Sequence, residues 1–182
     1  MSAGPPIDEA YLDALRAELP GLRVVDKRDD RFSRLVDRAL RIVTLGGQRH
    51  YLTRYVTTIG RTLYFPEGWE ARSPESRYVT LRHEAVHLRQ FRRYGLVLTA
   101  LVYLVPFFPL GLAYGRARLE WEAYAETLRA TAEVHGLEAA RDPALHAHLV
   151  EQFVGPAYGW MWPFPRVIQS WIDRAIREIS LS

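Results

Sequence analysis

The sequence predicts an α+β, mainly helical fold with a small antiparallel sheet, and three observations carry that reading. Apolar residues recur at helical spacing over most of the chain. One short stretch, Tyr51 to Phe65, instead alternates and is split by a glycine turn, as a hairpin would be. The pattern His-Glu-x-x-His, at His83-Glu84-Ala85-Val86-His87, sits inside a helical segment with its own start and stop signals. At 182 residues the chain is expected to form one domain, 1–182, large enough for a real core.

The elements follow in order. Asp8 to Leu19 reads as an amphipathic helix with Tyr11, Ala14, Leu15 and Leu19 inward, ended by Pro20-Gly21. Leu22 to Val25 reads as a short strand. Asp30 caps a second helix to about Leu45, with Phe32, Leu35, Val36, Leu40 and Val43 as its apolar set and Gly46-Gly47 as its stop. Arg31, Arg34, Arg38 and Arg41 stripe its other face. That stripe is a solvated surface first, and a contact for anionic lipid or an acidic partner second. Tyr51 to Thr57 and Thr62 to Phe65 are the two strands of the hairpin, with the turn at Ile59-Gly60-Arg61 and a stop at Pro66.

Ser73-Pro74-Glu75 then reads as N-cap, first-turn proline and first-turn acid of the motif helix, which Gly95 ends. Arg82, Arg89 and Arg93 form one stripe, facing solvent. His83, His87, Gln90 and Tyr94 lie roughly 120° away. Histidines at i and i+4 are about 40° apart around the axis, so both can reach one metal ion. Imidazole is a good zinc ligand, and the carboxylate between the pair can take a proton from a water. The plain alternative is a pair of hydrogen-bonded structural histidines.

A catalytic zinc site needs a third protein ligand. Arg116 to about Val134 is helical by period, ending before Gly136. Arg118, Glu122, Glu126, Arg129 and Glu133 line one face as a solvated charge ladder. Glu120 lies opposite, beside Ala123, Thr127, Ala130 and Val134. A carboxylate among small and apolar neighbours needs a partner, either an ion or a buried arginine.

His83-Glu84-x-x-His87 followed by Glu120-x-x-Ala123 resembles the zincin metallopeptidases in their glutamate-ligand, or gluzincin, branch. The resemblance covers roughly Tyr78 to Glu126. It implies a zincin-like domain in which His83, His87 and Glu120 bind Zn2+ and Glu84 is the general base. It also implies a peptide or protein substrate, whose extended backbone commonly pairs with a sheet edge beside the site helix in that family. Many relatives carry an acid four residues after the ligand glutamate. Here that position is Tyr124, whose phenol is able to accept an imidazole N–H.

Leu96 to Tyr114 contains 19 uncharged, mostly apolar residues, with Pro106, Pro109 and Gly111 inside. One straight membrane crossing would put His87 and Glu120 on opposite sides of a bilayer. A hairpin broken at Pro106-Phe107-Phe108-Pro109 keeps them on one side. Its first arm, Leu96 to Val105, would be about 15 Å long as a helix. A buried core hairpin is the first expectation. A shallow membrane contact, with Arg92, Arg93, Arg116 and Arg118 at headgroup level, is the second.

Asp142-Pro143 starts a helix to about Phe153. Its His146 and His148, two apart, point in different directions. Gly155 to Pro165 is a rigid aromatic loop, read as a packing plug or as a wall of the cleft. In the latter case Tyr158 would donate a hydrogen bond to the oxyanion. The last helix, about Arg166 to Ile179, packs Val167, Ile168, Trp171, Ile172 and Ile176.

Composition bounds the rest. Cysteine is absent, so neither disulfides nor thiolate ligands enter. Met1 to Glu9 lacks the basic start and apolar run of a secretory signal, so a cytoplasmic location is expected, free or membrane-associated. A net charge of +3 gives no reason to expect a nucleic-acid partner. The function expected is a zinc-dependent hydrolase, a metallopeptidase. The rivals are a non-catalytic protein whose zinc staples two helices, and a peripheral membrane-binding protein.

Overall fold

The computed structural model describes residues 5–28, 55–104, 113–155 and 161–181, with backbone only at residues 100, 103 and 104. The described chain is mainly helical with one small sheet, and it divides into two compact units, Met1–Arg92 and Arg93–Ser182. The predicted helix from Asp30 and most of the strand from Tyr51 lie outside the described residues.

In the first unit, α1 (Ile7–Glu18) carries Asp8 and Glu9 in its first turn, where the helix dipole favours acids. Its inward stripe is Asp8, Tyr11, Leu12, Leu15 and Leu19. Ala14, expected inward, is exposed: it lies about 100° from Leu15, off the i, i+4 row that Tyr11, Leu15 and Leu19 share. Asp8 takes the place of an apolar residue because Arg77 meets it, Nε to Oδ2, at 2.8 Å.

Strands β1 (Arg23–Asp26), β2 (Thr57–Ile59) and β3 (Thr62–Phe65) form a sheet in the order β1-β3-β2. The β2–β3 hairpin turns where expected, and Gly60 supplies the positive φ its two-residue turn requires, but β2 runs Thr57–Ile59, so of the described residues in the expected strand only Thr57 belongs to it. The sheet is mixed, however, not antiparallel, because β1 pairs parallel to β3 with Arg23 opposite Thr62 and Asp26 opposite Phe65. A parallel pair needs a long connection, and the 35 residues from Lys27 to Arg61, which include β2, supply the length. Lys27, just past β1, is fully buried. Its ammonium donates to the Tyr55 carbonyl at 2.7 Å and the Thr57 hydroxyl at 2.8 Å, fixing the start of β2.

A one-turn 3-10 helix, Trp69–Ala71, stacks Trp69 on Phe65 and delivers the chain to α2 (Pro74–Leu104). Ser73 caps α2 as expected, its hydroxyl accepting from the Ser76 N–H at 3.2 Å. Tyr78, Leu81, Ala85 and Leu88 form the buried stripe of α2. Leu81, Ala85 and Leu88 join Leu15, Leu63, Phe65 and Trp69 in the core. Bidentate bonds from Arg89 to Glu18, at 2.9 and 2.7 Å, tie α2 to the end of α1. Helical geometry breaks at Gly95 (φ 78°, ψ 163°), a conformation open to glycine alone, and then resumes to Leu104.

In the second unit, α3 (Tyr114–His135), the single turn α4 (Leu137–Ala140), α5 (Pro143–Val154) and α6 (Pro165–Leu181) surround a core that includes Trp121, Tyr124, Leu128, Phe153, Met161, Ile168 and Ile172. Gly136 (φ 86°) ends α3, and Asp142 caps α5 by accepting from the Ala144 N–H at 2.8 Å. The end of α2 turns Thr99 inward, while Leu96, Val97, Leu98 and Leu101 are exposed. The expectation of a buried core hairpin therefore fails for these four residues; residues 105–112 lie outside the description.

Candidate metal centre

The site begins on α2. Its core stripe fixes which way the other residues point. With Leu81, Ala85 and Leu88 on the core, Glu84 sits on the flank, and His83, His87 and Gln90 lie further round. His83 is half-buried; His87, Gln90 and Glu84 are buried.

The two imidazoles converge. Their Nε2 atoms are 3.3 Å apart, with ring planes at 73°. Two nitrogens held tetrahedrally at about 2.0–2.1 Å from one zinc ion would be roughly 3.3–3.4 Å apart. The second nitrogen of His87 faces Gln90, with Nδ1 3.0 Å from Oε1. If the Gln90 carbonyl accepts from Nδ1–H, Nε2 of His87 keeps its lone pair, which is the tautomer a metal ligand needs. The donor set therefore fits zinc on the α2 side. The same 3.3 Å also suits an N–H···N bond from His83 to His87, so metal binding itself separates the two readings.

Glu84 is aimed by the sheet. The Thr58 hydroxyl, on strand β2, donates to its Oε2 at 2.6 Å. That bond fixes the orientation of one carboxylate oxygen. Thr58 was invisible to sequence reasoning, since nothing local links positions 58 and 84. The signal for Gln90 was present: it falls on the histidine face at i+3 from His87, a spacing at which side chains meet.

Glu120 is on α3, in the second unit. It is 4% exposed, and its neighbours one turn away, Ala117 and Ala123, are fully buried. The opposite face carries Arg118, Glu122, Arg129 and Glu133, all exposed, as the charge-ladder reading expects; its fifth member, Glu126, is half-buried and pairs with Arg129. Tyr124, four residues on, packs its ring 5.5 Å from Phe153. Tyr158 lies outside the described residues. His146 turns to the Ala140 carbonyl, with Nε2 at 2.8 Å, and His148 is exposed, so these two do not act together. No protein-family model, curated protein or solved structure matches this chain.

Proposed function

We propose that this protein is a zinc-dependent hydrolase, a metallopeptidase, with His83, His87 and Glu120 as the ligands of one Zn2+ and Glu84 as the general base. The observation that carries the proposal is the meeting of the two Nε2 atoms at zinc-ligand separation, with Gln90 beside the far nitrogen of His87. The burial of Glu120 on a face of small residues supports it as the third ligand.

Zinc, when bound, would polarise the scissile carbonyl and make a water acidic near neutral pH. Glu84 then takes the proton from that water as its oxygen attacks the carbonyl carbon. The same carboxyl passes the proton to the amine nitrogen as the C–N bond breaks. Thr58 holds Glu84 in one orientation for both transfers. Strand β2 is at one edge of the described sheet, so an extended peptide is able to pair along it beside Glu84. Tyr158 is the proposed donor to the developing oxyanion.

The experiment separates the roles. Purified protein should contain about one equivalent of zinc, and His83→Ala and Glu120→Ala should each lose it. Glu84→Gln should keep the metal and lose peptide hydrolysis by a factor of roughly 10²–10⁴. Full activity in Glu84→Gln would refute the mechanism. Unchanged zinc content in Glu120→Ala would remove Glu120 from the ligand set.

A further inference from the structure

The segment after Gly95 has a composition and a surface that the hydrolase reading does not use. From Tyr94 to Gly115 there is no charged residue, while Arg92-Arg93 precede the stretch and Arg116 and Arg118 follow it. On the last turns of α2, Leu96, Val97, Leu98 and Leu101 are 54%, 73%, 52% and 52% exposed. At 100° per residue these four side chains cover an arc of about 200°. The opposite side is accounted for. Thr99 is buried and returns its hydroxyl to the Gly95 carbonyl at 2.8 Å. Val102 approaches α3 at Gly115, where even a β-carbon would come within 3.0 Å of it.

We infer that this apolar arm docks on an anionic lipid surface, dipping its aliphatic side chains into one leaflet. Three features choose the occupant. A protein groove covers an apolar stripe of roughly 100° on a helix, whereas hydrocarbon wets any arc, including one of 200°. Arg92 and Arg93, both exposed where the stretch begins, match anionic headgroups. A second copy of the chain would instead bring these arginines against the same cations. Tyr94 and Tyr114, both exposed, mark the two ends of the stretch, and the Arg93 guanidinium lies 5.3 Å from the Tyr94 ring centre, an arrangement suited to the interface. Length sets the depth. Leu96 to Leu104 spans about 13 Å as a helix, less than one leaflet of a hydrocarbon core about 30 Å thick. No described helix is long and apolar enough to cross a membrane.

The test uses the full chain in sucrose-gradient flotation, with vesicles of phosphatidylcholine doped with phosphatidylglycerol beside vesicles of phosphatidylcholine alone. The protein should float with the anionic vesicles, and less so as salt rises. Val97→Ser with Leu101→Ser replaces two exposed residues and should leave the far-ultraviolet circular dichroism unchanged. It should weaken partitioning on the order of tenfold per residue. Arg93→Gln should weaken binding to the anionic vesicles about fivefold and leave binding to neutral vesicles as it was. Protein that stays at the bottom with anionic vesicles would overturn the proposal, as would a double serine variant that floats like the parent. Self-association by analytical ultracentrifugation that the serine variant abolishes, without flotation of the parent, would assign the face to a second copy. None of these readings depends on turnover or on zinc.

Discussion

The contact between Gln90 and His87 gives the sharpest test of the metal centre, because it separates a ligand histidine from a structural one. Gln90 Oε1 is 3.0 Å from His87 Nδ1, and both side chains are buried. Gln90→Leu keeps the size and apolar packing and removes the acceptor. His87 then no longer has this bond to hold the proton on Nδ1, and the competing tautomer places the proton on Nε2, where the lone pair must point at zinc. Loss of such a partner costs about 10–100-fold in metal affinity, or about 1.4–2.7 kcal/mol. Gln90→Glu should act in the other direction, since a carboxylate raises the basicity of the imidazole it accepts from. The assay is competition for zinc against a chromophoric chelator, beside urea denaturation of the metal-free protein. The expected order of affinity is Gln90→Glu, parent, Gln90→Leu. Equal zinc affinity in the parent and Gln90→Leu, with both folded, would refute a ligand role for His87.

Two further predictions concern the frame behind the site. Arg77 and Asp8 are both buried, with side chains 10% and 6% exposed, and Arg77 also bonds Glu70 at 2.6 Å. The Arg77 Nε lies off the line of a hydrogen bond and Asp8 Oδ1 has no donor, so the Asp8 contact is ionic. Arg77→Met strands a buried carboxylate and should cost about 3 kcal/mol in urea denaturation; the first-turn dipole of α1 keeps it from costing more. Asp8→Asn leaves Arg77 with Glu70 and should cost about 1–2 kcal/mol; a reversed order would refute this account. For pH, the hydrogen bonds from Arg89 hold the Glu18 carboxyl below its usual value of 4.5, against a smaller opposing effect of burial. A carboxyl with a depressed folded-state pKa stabilises fully above its unfolded value and loses that contribution as pH falls through the folded one. Glu18→Gln should thus be less stable than the parent near neutral pH by under about 1 kcal/mol, since both partners are over a third exposed. The difference should shrink as pH falls through the depressed folded-state pKa and vanish once the carboxyl is protonated; a gap that grew in acid would have the wrong sign.

What the sequence revealed divides by distance along the chain. The cap at Ser73, the break at Gly95, the strand Thr62–Phe65 and the cap at Asp142 were legible because each depends on neighbours within a few residues. The inward face of Glu120 was legible because α3 is long and its opposite face is densely charged. The parallel pairing of β1 was not, since it depends on where a 35-residue connection returns the chain. Nor was the Asp8–Arg77 pair, whose members are 69 positions apart and read singly as ordinary surface charges. The outer side of Leu96 to Leu101 was misjudged for a related reason: composition says which side chains avoid water, but only the fold says whether it has a place for them.

Thr58 shows how much of a catalytic arrangement hides in such distant contacts. Its hydroxyl bond to Glu84 Oε2 is 2.6 Å, short for a neutral donor and typical of one meeting a charged oxygen. If the bond serves only the sheet, replacing it should lower stability and leave turnover alone. If it orients Glu84, turnover must fall even where the fold and the metal survive. Thr58→Val is the suitable perturbation, because valine is isosteric and favours a strand. A hydrogen bond to a charged group is worth about 1.5–3 kcal/mol, so kcat should fall by roughly 10–150-fold when the carboxylate is no longer held. KM and zinc content should not change, since the hydroxyl belongs to neither the ligands nor the proposed strand-pairing backbone. Thr58→Ser restores the donor and should recover most of the rate. A valine variant with the parent's kcat would leave Thr58 a structural residue, and Glu84 would then need another group to fix its orientation.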